Sequence, residues 1–299
     1  KKIQLKNGAK IILQLMHAGR VADPRTLLGN ESPVSASNTQ SDGWVLYTDT
    51  DDEFHDRGLE GEWPQVNFPA ARSLEENELK IIANDFAAAA RRAIDCGFDG
   101  VEIHGANGYL LYQFTDPKQN LRTDDYGGSA TKNLKFPNMV VDAVRAEIGN
   151  DKIISYRISQ DGVDDFNGFW KEGQIYVDAL GIELAKMNVD AIHWSSFDWK
   201  DNRFNGNCPP IPVSLKKHTK KPLITNGNIY DGMSADEVFS SDAGDFVAIG
   251  RPIFAHPDWV HIVASGLPYN WMEFDRKYVI SPPYDYSYAY PKSLPKRDW

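Results

Sequence analysis

Cysteine is almost absent from this sequence, with Cys96 and Cys208 as its two occurrences in 299 residues. Two thiols cannot build a disulfide framework, and these two do not form the Cys-x-x-Cys pair that marks many zinc sites. Cys96 precedes Gly97 at a predicted helix end, where we expect a small core side chain. With no leader-like segment in the sequence either, we expect a protein of the reduced cytoplasmic compartment.

Long apolar runs and an excess of basic residues are also missing. No apolar stretch approaches the roughly 20 residues needed to cross a bilayer, so we expect no membrane partner. The 42 acidic residues outnumber the 32 basic ones and give a formal net charge of −10, which argues against nucleic acid as a partner. Hydrophobic residues make up 41% of the chain, as in an ordinary globular protein with a large core.

Short apolar, β-branched runs alternate with helical patterns along the chain. The runs predicted to be strands are 10–15, 98–103, 153–158, 190–194, 222–225 and 245–249. The clearest helix has apolar residues at helical spacing over 79–93. Ser73 and Glu76 fit a capping box before it, and Gly97 fits the position after its end. The other predicted helices are 139–147, 173–187, 235–240 and 257–264.

The repeated strand–helix–strand pattern predicts parallel strands joined by right-handed crossovers. Polar residues follow most of the strands, as they do at the mouth of a barrel, which favours an α/β fold of the (β/α)8 TIM-barrel type over an open sheet. Only six strands are predicted, so either two are hidden or an N-terminal part of the barrel is not included. We expect a single domain over 1–299, with a long loop insertion at 19–69 and a Tyr/Pro-rich C-terminal arm at 281–299.

The second predicted strand leads into His104, Asn107 and Tyr109. Active sites of α/β folds lie at the carboxyl ends of strands. His104 and Asn107 can donate two hydrogen bonds to one substrate oxygen, which stabilises a developing enolate. Tyr109 can donate a proton, since a phenol keeps its proton at neutral pH. A structural histidine and a rim tyrosine are the simpler explanations for each residue alone, but the three together favour catalysis.

Gln14 and Arg157 are polar side chains on strands that are otherwise apolar. Gln14 offers both a donor and an acceptor to a planar edge such as a flavin ring, but taken alone it is better explained as a buried amide that satisfies backbone groups. Arg157 is a permanent cation on a strand predicted to be buried, so it needs an anionic partner. A reduced flavin and a carboxylate from a neighbouring strand are equally good candidates for that partner.

The loops after the last two predicted strands have the composition of a phosphate site. The first contains Gly227 and Asn228, and the second contains Gly250 and Arg251. Glycine allows close backbone approach, and arginine adds charge and a fork of donors. Barrels commonly bind phosphate with the loops after strands seven and eight. This order favours strands missing at the front of the barrel rather than at its end.

Together these segments resemble the old yellow enzyme family of flavin-dependent ene-reductases over essentially the whole chain. The matching segments are 97–111, 113–114, 120–129, 14–20, 157–159 and 250–258, of which the first three form a highly specific run. The resemblance implies a TIM barrel whose third to eighth strands this chain supplies. It implies FMN as cofactor, NAD(P)H as reductant, and a monomer or homodimer that reduces the activated C=C bond of α,β-unsaturated carbonyl compounds.

The resemblance also implies roles for individual residues. Gln14 and Arg157 would contact the FMN ring. The residues that would hold its phosphate are Gly227, Asn228, Gly250 and Arg251. His104 and Asn107 would bind the carbonyl oxygen of the substrate, and Tyr109 would protonate the α-carbon.

The sequence also departs from the family pattern. Met16 stands where a tryptophan is common, and Pro137 enters a helix that the family keeps regular. Two other functions therefore stay open. One is a degraded barrel that has lost flavin and serves as a binding module, and the other is a metal-dependent barrel hydrolase using His17, His104 and His193.

Overall fold

The computed structural model describes residues 8–23, 27, 31–41, 44–46, 65–165, 168–202, 204 and 208–273. The strands within these ranges are β1 (Ile12–Leu15), β2 (Val34–Ser35), β3 (Trp44–Leu46), β4 (Gln65–Asn67), β5 (Arg72–Ser73), β6 (Gly100–Asn107), β7 (Ile153–Gly162), β8 (Ala191–Ser195), β9 (Leu223–Thr225) and β10 (Phe246–Val247). The helices are α1 (Glu76–Asp95), α2 (Leu110–Thr115), α3 (Ala130–Asn133), α4 (Lys135–Ile148), α5 (Gln174–Lys186), α6 (Ile211–Thr219), α7 (Gly232–Ser240), α8 (Arg251–Ala255) and α9 (Trp259–Ser265).

The main sheet has six strands in the order β1-β6-β7-β8-β9-β10, and every neighbouring pair is parallel. Each of the six strands predicted from the sequence is present. The last is shorter than predicted, because only Phe246–Val247 pair with β9. Parallel neighbours joined through helices are the arrangement of a partial (β/α)8 barrel.

Alternate residues of the central strands point to opposite faces of the sheet. One face is apolar and packs against the helices, and its fully buried side chains on β6 to β8 are Val101, Ile103, Ile154, Tyr156, Ile158, Ile192 and Trp194. The other face, which we call the polar face, carries Gln14, Glu102, His104, Ser155, Arg157, His193 and Ser195. The strands therefore bury one face in the core and offer the other face for chemistry.

Helix α1 begins later than its capping pattern predicts. The capping box predicted at Ser73 and Glu76 is wrong, because the N-cap is Glu75, whose backbone N–H donates to Glu78 Oε2 at 2.8 Å. Ser73 lies in β5 and pairs with Ser35. That pairing keeps the backbone extended, so the helix cannot start there.

The end of α1 corrects a second expectation. Gly97 has a φ of +99°, the left-handed conformation predicted for a glycine that follows a helix. Cys96, expected to be a small core side chain, is exposed. It occupies the C-cap position and donates its backbone N–H to the carbonyl of Arg92.

The predicted 19–69 insertion contains short strands and a 3-10 turn that its polar composition does not predict. A 3-10 turn spans Gly19–Val21, β2 pairs in parallel with β5, and β3 pairs antiparallel with β4. Part of this insertion and the whole arm predicted at 281–299 lie outside the described residues. The single-domain organisation over 1–299 stays a prediction.

Helix α4 begins at Lys135 rather than at residue 139, so Pro137 lies in its first turn. The N–H groups of a first turn have no intrahelical acceptor, and a proline there removes no helical hydrogen bond. The other predicted helices match α5, α7 and α9 to within three residues. In the part of the chain that the structure describes, no helix has the length and apolar character needed to span a membrane.

Candidate active site

A cavity of about 740 Å³ lies at the carboxyl ends of the parallel strands. The residues predicted from the sequence that line it are Asn107, Arg157, Gly227, Asn228, Gly250 and Arg251. Gln14, His104 and Tyr109 lie outside its lining. His104 and Tyr109 adjoin it, because His104 and Arg157 are register neighbours on β6 and β7 and Tyr109 packs against His104. Gln14 is farther away, on β1, with β6 between it and β7.

His104 is held as a neutral hydrogen-bond donor. Its side chain is buried, and its Nδ1 accepts the backbone N–H of Ala106 at 3.2 Å. The ring proton must therefore reside on Nε2. Burial, together with the positive charge of Arg157, lowers the pKa of His104 to about 4. At neutral pH the residue thus offers one Nε2–H donor and carries no charge.

Asn107 ends β6 in a left-handed turn. Its φ is +58° and that of Gly108 is +87°, a conformation that asparagine and glycine adopt more readily than other residues. The backbone N–H of Asn107 donates to Ser159 Oγ at 2.7 Å, which fixes the turn to β7. The turn places Asn107 on the cavity wall.

Tyr109 follows this turn as the N-cap residue of α2. Its ring lies edge-on to that of His104, with 5.0 Å between the centroids. Gln113 anchors the turn, because its Nε2 donates to the Gly108 carbonyl at 2.8 Å and its Oε1 accepts the Arg20 N–H at 3.1 Å. The structure therefore brings His104, Asn107 and Tyr109 together, as the sequence predicts.

Arg157 supplies a cation and an unused donor at the cavity. Its Nη2 donates to Ser195 Oγ at 2.9 Å, whereas its buried Nε has no hydrogen-bond partner among the residues that the structure describes. Burial lowers the pKa of Arg157 and the charge of Glu102 opposes that effect. A guanidinium keeps its charge at neutral pH in either case, so the site retains a buried cation with spare donor capacity.

Glu102 is the site residue that the sequence analysis missed. Its Oε1 accepts Gln14 Nε2 at 2.7 Å, and its Oε2 accepts Ser155 Oγ at 3.0 Å and lies 2.8 Å from His193 Nδ1. Burial raises the pKa of Glu102, but the hydrogen bonds from His193 and Gln14 and the charge of Arg157 outweigh it and hold the pKa at about 2. The sequence does indicate that Glu102 faces the same side as His104, because residues two apart on a strand share a face.

The polar contacts of Glu102 continue to the loop after β9. His193 Nε2 lies 3.2 Å from Asn226 Nδ2, and Asn226 Oδ1 accepts the backbone N–H of Ser196 at 3.0 Å. His193 and Asn226 both line the cavity. We call Gln14, Glu102, Ser155, His193 and Asn226 the Glu102 network.

The two predicted phosphate loops meet on one wall of the cavity. Gly227 has a φ of +117°, and a Cβ there would lie 2.7 Å from the Ser196 carbonyl oxygen. Only glycine therefore lets this loop pack so closely. In the second loop, the Arg251 guanidinium carbon lies 5.7 Å from the centroid of the Tyr230 ring.

Asn228 lies in the same wall, but its side chain has a partner within the protein. Asn228 Nδ2 donates to Asp198 Oδ2 at 2.9 Å, and the residue has a left-handed φ of +54°. Asn228 therefore contributes its left-handed backbone turn to the wall, and its side-chain NH2 group is already engaged by Asp198.

The three histidines of the metal-hydrolase hypothesis are engaged separately. His17 Nδ1 accepts the Gly19 N–H at 3.0 Å, His104 Nδ1 accepts that of Ala106, and His193 pairs with Glu102. Within the described ranges, no group of three or more His, Cys, Asp or Glu side chains is placed to hold a metal ion. That hypothesis therefore finds no ligand set in this part of the chain.

Known proteins are similar to this chain in both sequence and fold. The family model described as the NADH:flavin oxidoreductase / NADH oxidase family matches residues 1–270. The probable NADH-dependent flavin oxidoreductase YqiG of Bacillus subtilis (strain 168) is 33% identical over 267 residues, which cover 87% of this chain and 64% of the relative. The 12-oxophytodienoate reductase 2 of Arabidopsis thaliana is 32% identical over 255 residues, covering 84% and 63%.

A solved structure of morphinone reductase in complex with tetrahydroNAD superposes with a TM-score of 0.72 at 29% identity, covering 91% of this chain and 69% of that one. This likeness confirms the α/β barrel prediction. The chain spans less than two thirds of the length of either curated relative.

Family membership implies FMN as cofactor and NAD(P)H as reductant. On the family match and these likenesses, the chain belongs to the NADH:flavin oxidoreductase / NADH oxidase family, the old yellow enzyme family.

Proposed function

We propose that this protein is an FMN-dependent oxidoreductase that uses NADH or NADPH to reduce the activated C=C bond of α,β-unsaturated carbonyl compounds. The observation that carries the proposal is the cavity itself. It places the Arg157 cation, the two glycine-containing loops and Asn107 around one space at the carboxyl ends of the strands. The names of two similar proteins, a 12-oxophytodienoate reductase and a morphinone reductase, support a reductase function.

The residues around the cavity fit FMN. At one end, the Arg157 cation suits the heteroatom edge of a flavin ring, and the Gln14 amide, exposed on the polar face of β1, could add a donor or an acceptor to that edge. At the other end, Gly227, Gly250 and the charged Arg251 line the same wall, and backbone N–H groups beside a guanidinium suit a phosphate dianion. When bound, FMN would supply the hydride chemistry that links NAD(P)H to the substrate.

His104 and Asn107 would bind the substrate carbonyl oxygen. His104 offers a neutral Nε2–H donor because its Nδ1 is occupied by Ala106, and Asn107 can add an amide N–H. Two preorganised neutral donors strengthen as negative charge develops on an oxygen. A neutral imidazole also keeps its proton, so it polarises the carbonyl without protonating it.

Tyr109 would donate the proton that completes the reduction. Its ring lies against that of His104, so its hydroxyl and the carbonyl-binding donors belong to one cluster. The loop that carries Tyr109 is fixed by Gln113 and by the left-handed turn before it. Positioning of this kind is what general acid catalysis requires of a proton donor.

The test is to purify the full chain, add FMN, and measure flavin absorbance after removal of free FMN. Under nitrogen, oxidation of NADH and of NADPH is then followed with and without 2-cyclohexen-1-one. We expect a yellow protein whose nicotinamide oxidation depends on the enone. A protein that gains no flavin absorbance would refute the proposal, and flavin binding without enone-dependent turnover would refute its substrate class.

A further inference from the structure

The carboxylate of Glu102 connects β1 with β7 and β8, two strands that line the cavity. It accepts Gln14 of β1, Ser155 of β7 and His193 of β8, all at 3.0 Å or less. Its side chain is 13% exposed, so water competes little for the bonds to Ser155 and His193, whereas the bond from Gln14 is exposed. Through His193 and Asn226 the connection reaches the loop that holds Gly227.

Hydrogen-bond chemistry fixes the direction of every bond in the Glu102 network. A carboxylate can only accept, so Gln14 must present its NH2 group and His193 must carry its proton on Nδ1. His193 Nε2 is then an acceptor and takes an N–H from Asn226 Nδ2. Asn226 Oδ1 is left to accept the Ser196 backbone N–H, as it does at 3.0 Å.

The directions of these hydrogen bonds determine which atoms of Gln14 and of the loop after β9 remain available to a ligand. With its NH2 group turned to Glu102, Gln14 keeps its carbonyl oxygen as the acceptor available to a ring N–H. At the other end, the Asn226 carbonyl accepts Ser196 Oγ at 3.0 Å, so the loop stays packed where Gly227 touches Ser196. Loss of the carboxylate would release both constraints together.

We propose that Glu102 is a positioning residue of the flavin site: it orients the Gln14 amide toward the ring end and, through His193 and Asn226, holds the loop at the phosphate end. The proposal rests on the proposed FMN-dependent function. Glu102 itself lies outside the cavity lining and acts through these neighbours.

Glu102 has a second effect, which is electrostatic. Its negative charge acts on the Arg157 guanidinium, which lines the cavity. A carboxylate near that cation reduces the positive potential available to stabilise an anionic reduced flavin. Removing the charge should therefore shift the midpoint potential of bound FMN to a more positive value.

The decisive variant is Glu102→Gln, which keeps the shape but replaces one acceptor oxygen by an NH2 donor. That donor faces either Gln14 Nε2 or His193 Nδ1, so either Gln14 must flip its amide or His193 must move its ring proton to Nε2. We expect the Kd for FMN to rise about tenfold, which corresponds to about 1.4 kcal/mol, with a more positive flavin potential. Flavin fluorescence quenching measures the Kd, and a xanthine oxidase dye titration measures the potential.

Glu102→Asp separates position from charge and serves if Glu102→Gln fails to fold. It keeps the charge but is one methylene shorter, so it cannot reach Gln14 and His193 at their present distances. We expect a similar rise in Kd with a smaller shift in potential. Glu147→Gln is the matched control, because Glu147 is 44% exposed and pairs with Arg91 on the helical side, and we expect it to bind FMN as the wild type does.

The outcomes separate this proposal from the one it rests on. A wild-type protein that binds no FMN overturns the proposed function. A wild type that binds FMN, with both Glu102 variants folded by circular dichroism and unchanged in Kd and potential, overturns the role of Glu102 alone.

Discussion

The guanidinium of Arg20 lies 2.6 Å from Asp164 Oδ2, and both side chains are almost fully buried. This ion pair joins the loop after β1 to the turn that follows β7. The same aspartate packs on the turn before Tyr109, since a Cβ on Gly108 would lie 2.7 Å from Asp164 Oδ1. The pair therefore supports the loop that carries the proposed proton donor.

Replacing Arg20 with methionine should lower the free energy of unfolding by about 3 kcal/mol, because the Asp164 charge would stay buried without its partner. Urea denaturation followed by circular dichroism measures the change. The control is Lys118→Met, which removes a nearby ion pair to Asp165 whose lysine is 62% exposed. An exposed pair should contribute no more than about 1 kcal/mol. Equal losses in the two variants would contradict this account.

Stability should depend on pH through His104. In the folded protein its pKa is about 4, against an ordinary value of 6.5. As pH falls from 6.5 to 4, the unfolded chain takes up a proton that the folded chain does not, so the free energy of unfolding falls. Relative to His104→Asn, the wild type should lose on the order of 3 kcal/mol across this window. Parallel stability curves for the two proteins would show that His104 titrates normally.

Asp116 should show the opposite pH dependence. Burial raises its pKa to about 6, although the Lys118 backbone N–H and the charges of Lys118 and Arg20 oppose the effect. Ionisation of Asp116 therefore costs stability as pH rises from about 4 through 6. Asp116→Asn keeps an oxygen for the Lys118 N–H and should raise the free energy of unfolding at pH 8 by on the order of 1 to 3 kcal/mol.

The gain from Asp116→Asn should disappear near pH 4, where the wild-type side chain is already neutral in the folded protein. Asp151→Asn is the control, since Asp151 is exposed and its replacement should leave stability unchanged at both pH values. A gain that is the same at pH 4 and pH 8 would rule out ionisation as its cause.

Tyr109→Phe should separate the two half-reactions of the proposed enzyme. Reduction of bound flavin by NAD(P)H does not use the phenol, so its rate should stay within twofold, whereas enone reduction should slow by about 100-fold or more. Anaerobic stopped-flow absorbance measures both rates. Tyr126→Phe, which removes a hydroxyl that lies 3.4 Å from Glu76 Oε1, should alter neither. If Tyr109→Phe also leaves both rates unchanged, another group donates the proton.

The main sheet could be predicted from the sequence because its strands are short apolar runs separated by helices. The helix start at Glu75 could not, since Ser73 is drawn into β5 by pairing with Ser35, which lies far away in sequence. Helices α2, α3 and α8 span six, four and five residues, and so few residues do not establish a helical period.

The cluster around His104 could be predicted because its members are close together in the sequence. Glu102 was missed because its importance depends on Gln14 and His193, whose positions relative to it follow only from the register of four strands. Register is set by the packing of the whole sheet. A single sequence shows that Glu102 and His104 share a face, but not which side chains meet them there.

The alternation of side chains along β6 and β7 has a consequence for protein engineering. Neighbouring positions such as Ile103 and His104 have different constraints, because Ile103 packs in the core and His104 lies on the face of the cavity. A library randomised only at cavity-side positions should therefore yield variants with altered substrate range and nearly unchanged melting temperature. A library at the helix-facing positions should mostly yield proteins that aggregate before their activity can be measured.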